Sequence, residues 1–356
     1  MEVYMTPIIS GIVMAFIIAY VTFVPVIILQ YRRHGDVRKI KNLVGYSFVL
    51  YMLCAYFLVI LPLPTRAEVA QLTTPYYNLI PFKFLEDIQQ HSGLSLSNPR
   101  TYIGALKSPS VFTVLFNILL TLPLGVYGKK YFRLSFWKTM LLGFSVSLFF
   151  ELTQLSGLYG IYPRPYRLFD VDDLLMNTLG AVVGYGVAKV MNPLLPEERL
   201  SIPDQRVTIL RRFLAYYIDT LVIGLIVAVI SGGLQLIGRP ISNDGISLVV
   251  WFSYFVFLPL IFYQTIGQGV LKIELRATTG HLSLTKLLKR AIIIGIVLKL
   301  NPLLIEKDFS FGQGINVAAL MSQLIFMIML LSQIVRKKEQ LFYDSWSNLV
   351  LVPLKK

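Results

Sequence analysis

Glu151 and Gln154 stand one helical turn apart inside the run FFELTQL, so a helix there presents both side chains on one face. An ionisable group within an apolar span is costly, and it is a functional-site candidate that needs a named partner. The following stretch, RPYRLFDVDDLLMNTLG, places Arg164 and Arg167 in a connection, Asp170, Asp172 and Asp173 at the start of the next helix, and Asn177 one turn further in. Acids at a helix start are favoured by the macrodipole and can cap its free N–H groups, which accounts for at least one of the three aspartates. Glu151 has no cap to make and calls for a cation or a proton, with Arg167 the expected partner. Four acids and two arginines at one membrane face are either a binding site for a polar headgroup, a cation, or a sugar or peptide of the envelope, or else a structural clasp between two helices.

A second group lies in RRFLAYYIDTLVIG, where Arg212 and Asp219 are seven residues apart and share a helix face two turns from each other. Asp219 then sits about 10 Å inside the helix end at ~1.5 Å per residue, too deep to stay unpaired. It is expected to accept from Arg212 or Arg290, or to hold a proton or a sodium ion, so a structural ion pair and ion coupling both remain open. No nucleophile–base pair, Walker loop, HExxH or dinucleotide fingerprint occurs, and no cofactor is expected. A hydrolase or transferase acting on a lipid-linked envelope substrate, with carboxylates as general acid and base, ranks last for that reason. Cys54, the single cysteine, lies in an apolar run, so neither an intrachain disulfide nor a thiolate metal site can form, and His34, His91 and His281 fall in predicted loops.

The elements that position these groups are membrane helices. Of 356 residues, 55% are hydrophobic and only 15% charged, with a mean hydropathy of +0.66, more apolar surface than a water-soluble domain can hide. The net charge of +14 does not indicate a nucleic-acid surface, because the basic residues form short clusters between apolar runs. Spanning runs of roughly 20 residues fall near 7–30, 43–63, 109–128, 139–158, 173–191, 213–237, 246–265 and 314–335; the first is too long and too uncharged at its front for a cleaved signal peptide. Leu287–Ile305 is ambiguous, interrupted by Lys299 and followed by Asn301-Pro302.

Orientation decides it. Basic clusters stand at Arg32–Lys41, Lys129–Arg133, Arg199–Arg212, Lys286–Arg290 and Arg336–Lys338, and all five share the cytoplasmic side only if Leu287–Ile305 also crosses. The expectation is an all-α polytopic bundle of about nine spans, N-terminus out and C-terminus in. The proline-containing stretch 192–205 reads as a cytoplasmic linker. It separates a first helix and basic loop (1–40) and a membrane domain (41–191) from a second membrane domain (206–356), with no internal repeat to suggest an inverted-repeat transporter. Gly180, Gly184 and Gly186 suggest close helix packing. FKFLEDIQQ, in the long connection 64–108, suggests a short amphipathic helix on the membrane surface, either a lid over the carboxylates or an interfacial helix with no further role.

The stretch from about 40 to 191 resembles VanZ-like membrane proteins. The matching residues are Asn78, Pro81 and Phe82 in YYNLIPF; Asn117, Pro123 and Gly125 in FNILLTLPLG; Glu151 and Gln154 in ELTQ; and Arg167, Asp170, Asp172, Asp173, Asn177, Gly180 and Gly184 in RLFDVDDLLMNTLGAVVG. The resemblance implies a non-enzymatic envelope role, commonly tied to reduced sensitivity to teicoplanin-type lipoglycopeptide antibiotics. A lipid-linked cell-wall precursor, peptidoglycan or the antibiotic itself would then be the partner of the outward-facing carboxylates. Residues from about 206 to 352 resemble the RDD family: Arg212 and Asp219 match its first arginine and aspartate, Asp344 in LFYDSWSNLVLV its second aspartate, and Arg290 its trailing arginine. Gln268 departs from that pattern, standing where the family usually has a lysine. Family members have been proposed as transporters, some for cations, which by analogy makes Arg212, Asp219, Arg290 and Asp344 candidates for ion coupling.

Overall fold

Backbone polar groups in hydrocarbon must be satisfied within their own segment, and the apolar runs accordingly fold as α-helices. The computed structural model describes residues 2–93, 95, 97–105, 108–191, 207–239, 241–302, 313–336 and 340–354. The helices used below are α1 Glu2–His34, α2 Lys39–Ile60, α3 Lys83–His91, α4 Pro109–Lys130, α5 Phe136–Leu155, α6 Val171–Val190, α7 Ile209–Leu236, α8 Asn243–Phe262, α9 Ile266–Val270, α10 Leu284–Gly295, α11 Gln313–Val335 and α12 Phe342–Trp346. The chain is an all-α polytopic membrane protein. Among the described residues, six helices (α1, α2, α4, α7, α8 and α11) are long and apolar enough to cross a bilayer. Helices α5 and α6 have 20 residues each but are less apolar, because α5 carries Lys138 and Glu151 and α6 carries Asp172, Asp173 and Lys189. Of the segment Leu287–Ile305, α10 continues as a π-helical turn, Ile296–Leu300; its last residues, like the predicted linker 192–205, lie outside the described residues.

The chain divides into two compact units, Met1–Val21 with Arg38–Arg199, and Thr22–Val37 with Leu200–Lys356. In the first, α6 packs along both α4 and α5. Close approach is set by glycine: a β-carbon on Gly180 or Gly184 would strike the carbonyl oxygens of Ile118 and Leu122 in α4, whereas Gly186 faces open space. Phe150, Leu120 and Ala55 form a buried cluster between α5, α4 and α2. Two residues on either side of the candidate site, Tyr77–Asn78 (β1) and Phe169–Asp170 (β2), pair in parallel.

In the second unit, α7, α8 and α10 surround a core that includes Leu214, Trp251 and Leu287. Thr208 starts α7 by accepting the Arg211 N–H at 3.3 Å. The expected cytoplasmic loop after α8 is more ordered than its composition suggests: it contains α9 and a strand, Ile273–Ala277 (β3), antiparallel to Leu349–Pro353 (β4). Ile273, Leu275, Leu349 and Leu351 are buried on one face of this ribbon while Glu274 and Arg276 pair on the other. That period-2 alternation, IELRA, is legible in the sequence although the surrounding stretch reads as a loop.

Candidate functional site

Asp170 occupies the N-cap of α6 with extended backbone (φ −125°, ψ 124°), and its Oδ1 accepts the Asp172 N–H at 2.9 Å and the Asn78 side-chain amide at 3.1 Å. Burial pushes the Asp170 carboxyl above the ordinary aspartate value, while the Asp172 N–H and the Asn78 amide pull it back. Its own N–H donates to Oε2 of Glu151 at 3.0 Å, so α5 and the start of α6 are joined through a carboxylate. Asp172 turns the other way. Its two oxygens accept the N–H groups of Phe82 (2.6 Å) and Phe84 (3.0 Å), capping the amphipathic helix α3 across 90 residues of chain. Phe82 takes a left-handed conformation (φ 66°), uncommon for a bulky residue, at this junction.

Deeper in the span, Asn117 of α4 donates to Oδ1 of Asp173 at 2.5 Å, Thr121 donates to the Asn177 carbonyl at 2.6 Å, and the Asn177 amide donates to Ser147 of α5 at 3.0 Å. Glu151, Gln154, Asp172 and Asn177 are all buried, Glu151 to 3% exposure. Three acceptor atoms are left over. Among the described residues, Glu151 Oε1 and Asp173 Oδ2 have no protein donor, and Asn177 Oδ1 is buried without a partner.

The arginines form no ion pair with these acids among the described residues. Arg167, expected opposite Glu151, donates instead to the carbonyls of Val59 (2.8 Å) and Leu61 (3.2 Å), and Gln154 also donates to Val59 at 3.1 Å. The last carbonyls of α2 have no helical partner, and a guanidinium fork at that C-terminus satisfies two of them. Arg164 likewise donates to the carbonyls of Leu72 and Thr74 and lies over the Tyr76 ring. Among the described residues, no basic nitrogen comes within 4.0 Å of Glu151, Asp170, Asp172 or Asp173, and no three His, Cys, Asp or Glu side chains are arranged to hold a metal ion. The arrangement is therefore acceptor-rich and suited to hydroxyl, amide or ammonium donors. Asn78, Ser147 and Thr121 are the supporting residues that residue-by-residue reading passed over or left without a role. Their signal was a polar side chain inside an apolar run.

The second unit assembles its charges differently from expectation. Arg212 and Arg290 both bind Asp344, Arg212 Nη1 to Oδ2 at 2.5 Å and Arg290 Nε to Oδ1 at 2.7 Å, with Asp344 fully buried. Asp219 accepts from neither. Its oxygens take the Tyr254 hydroxyl, the Thr265 hydroxyl and the Gly267 N–H, each at 2.6 Å. The reason is local: α9 begins directly against α7, where a β-carbon on Gly267 would meet the Ala215 carbonyl, so the loop's own donors reach Asp219 while α12 carries Asp344 to the arginines. Gln268, the departure from the expected lysine, completes a capping box with Thr265: its side-chain oxygen accepts the Thr265 N–H at 2.9 Å, a role that a lysine, having no acceptor, cannot fill. His34, His91 and His281 are exposed.

Against known families, the VanZ/LLP1 model matches residues 48–192 and the RDD family model matches residues 206–348. No curated protein and no solved structure matches the chain.

Proposed function

Because this chain joins a VanZ-like N-terminal half to an RDD-family C-terminal half, and is thereby a multi-pass membrane protein of the cell envelope, we propose that it lowers sensitivity to teicoplanin-type glycopeptide antibiotics without acting as an enzyme. The observation that carries this reading is the set of three unmatched acceptors, Glu151 Oε1, Asp173 Oδ2 and Asn177 Oδ1, in a site whose arginines are committed to carbonyls. Such a site recognises a donor-rich molecule: a lipid-linked cell-wall precursor, peptidoglycan, or the antibiotic itself. The proposal places it on the outer face of the plasma membrane of a bacterium, in a topology of about nine spans with the N-terminus out and the C-terminus in, as the positive-inside distribution favours.

The test is antibiotic susceptibility of a strain lacking the protein, complemented by wild type, by Glu151→Gln or by Asp219→Asn, against a glycopeptide panel that includes teicoplanin. Wild type restores tolerance and Glu151→Gln, at equal membrane abundance, does not. Full restoration by Glu151→Gln removes the carboxylate site from the reading, and strains that do not differ remove the antibiotic.

A second reading, ion coupling through Asp219 and Asp344, is favoured at one point: Asp219 is buried among neutral donors, with no basic nitrogen within 4.0 Å among the described residues, a setting that can exchange a proton or a sodium ion. It predicts cation-dependent flux in proteoliposomes that Asp219→Asn abolishes. The absence of flux across a panel of cations with folded protein ends it.

A further inference from the structure

The second unit contains a cavity of about 400 Å³, within the range of small-ligand pockets. Its wall is mostly apolar, with Phe255, Leu298 and Phe326 among the lining side chains. Phe213 of α7 and Met327 of α11 also belong to the wall, yet they are 62% and 50% exposed, and both lie on helices apolar enough to span the bilayer. The cavity therefore opens sideways toward hydrocarbon, and a molecule can reach it from within the membrane.

The charged groups of the wall call for no further ion. Arg212 and Arg290 bind Asp344, and Arg290 also interacts electrostatically with Asp219, so two guanidiniums face two carboxylates. The Asp219 oxygens are taken in turn by Tyr254, Thr265 and Gly267. Tyr343 and Tyr216, likewise in the wall, meet Arg212 and Trp251. Gln268 is different. It lines the cavity at 4% exposure, and its Oε1 is fixed by the Thr265 N–H, which also settles which end of the amide is the nitrogen. That nitrogen, Nε2, has no acceptor among the described residues. A buried amide in an apolar wall is thus left with unmatched N–H donors, which costs free energy until an acceptor arrives. A charged acceptor would bring an unpaired ion into this wall, whereas a carbonyl oxygen would not.

We propose that this cavity binds an uncharged molecule whose carbonyl oxygen accepts from Nε2 of Gln268 and whose apolar body lies against Phe255, Leu298 and Phe326. Neither the antibiotic reading nor ion coupling requires this ligand, and its test is independent of both. The probe is radiolabelled methyl oleate at submicellar concentration, with the full-length protein purified in a neutral detergent. Methyl oleate binds saturably. Octadecene, equally apolar but without an acceptor, competes at least about threefold more weakly, and so does oleate, which adds a charge. Gln268→Met, which keeps the shape and removes the amide, weakens methyl oleate about three- to tenfold. Leu298→Trp, which fills the apolar end, also weakens it without touching Gln268. The comparison of methyl oleate with octadecene needs only wild-type protein, so it decides the matter even if Gln268→Met fails to fold. Competition by dioleoylglycerol identifies a neutral acyl lipid of the bilayer as the source of the ligand, and competition by a decyl-substituted quinone but not by dioleoylglycerol identifies a quinone. Non-saturable binding, equal binding of octadecene, tighter binding of oleate than of its ester, or a folded Gln268→Met that binds normally overturns the proposal.

Discussion

The carboxylates of the first unit and Asp344 of the second are buried by opposite means. In the first, Glu151, Asp170, Asp172 and Asp173 rest on backbone N–H groups and side-chain amides, with no basic nitrogen in ion-pair range among the described residues. In the second, Asp344 is clamped by two guanidiniums. Among the described residues, the first arrangement has spare acceptors. Neutral donors hold a carboxylate without cancelling its charge, so they leave it able to attract a further donor, whereas a doubly paired carboxylate is purely internal.

The contrast breaks most visibly at Asp344. Asp344→Ala strands two buried guanidiniums and is expected to cost about 3–5 kcal/mol, read as a large drop in thermal stability of the purified protein. Replacing Asp344, Arg212 and Arg290 together by apolar residues of similar volume should recover most of that loss, because the desolvation penalty disappears with the charges. In the first unit the comparable loss comes from shape: Gly184→Val forces α6 away from the Leu122 carbonyl and should cost at least 1–3 kcal/mol by the same assay. Asn78→Ala removes the amide bond to Asp170 and the carbonyl acceptor for the Ile80 N–H, an expected loss of about 1–2 kcal/mol.

Smallest is the effect of pH. The Asp170 carboxyl titrates above its unfolded value, so it favours the folded state fully below the ordinary aspartate value, and that contribution is lost as pH rises through the raised one. Melting curves of wild type against Asp170→Asn should therefore diverge in favour of wild type as the solution is acidified. A pH-independent difference would show that folding leaves the Asp170 carboxyl unshifted, and divergence in favour of Asp170→Asn on acidification would show that it is held ionised.

Spans and their polar interruptions were legible because hydrophobic runs and lone acids are local facts. Glu151, Asp170, Asp173 and Asn177 stood out at once, and so did Arg212, Asp219, Arg290 and Asp344. Pairing was the part that could not be read. Arg167 is 16 residues from Glu151 in sequence, yet the free carbonyls at the end of α2 claim it, and Arg212 passes over Asp219 on its own helix face for Asp344, 132 residues away. Which acceptor wins depends on backbone ends and loop donors whose positions exist only once the chain has folded. The Asp172 cap on α3 is of the same kind, since a carboxylate at one helix start can as easily cap another.

The long reach between Asp344 and its two arginines also sets an order of events during synthesis. Arg290 precedes Asp344 by 54 residues and Arg212 by 132, so at ~5–20 residues per second the ribosome takes roughly 3–11 s and 7–26 s to deliver the carboxylate after each guanidinium. Throughout that interval neither guanidinium has the Asp344 carboxylate to bind. Maturation of the second unit is therefore timed by translation of a single late codon, and a nascent chain stalled before residue 344 should stay sensitive to protease where the released protein is resistant.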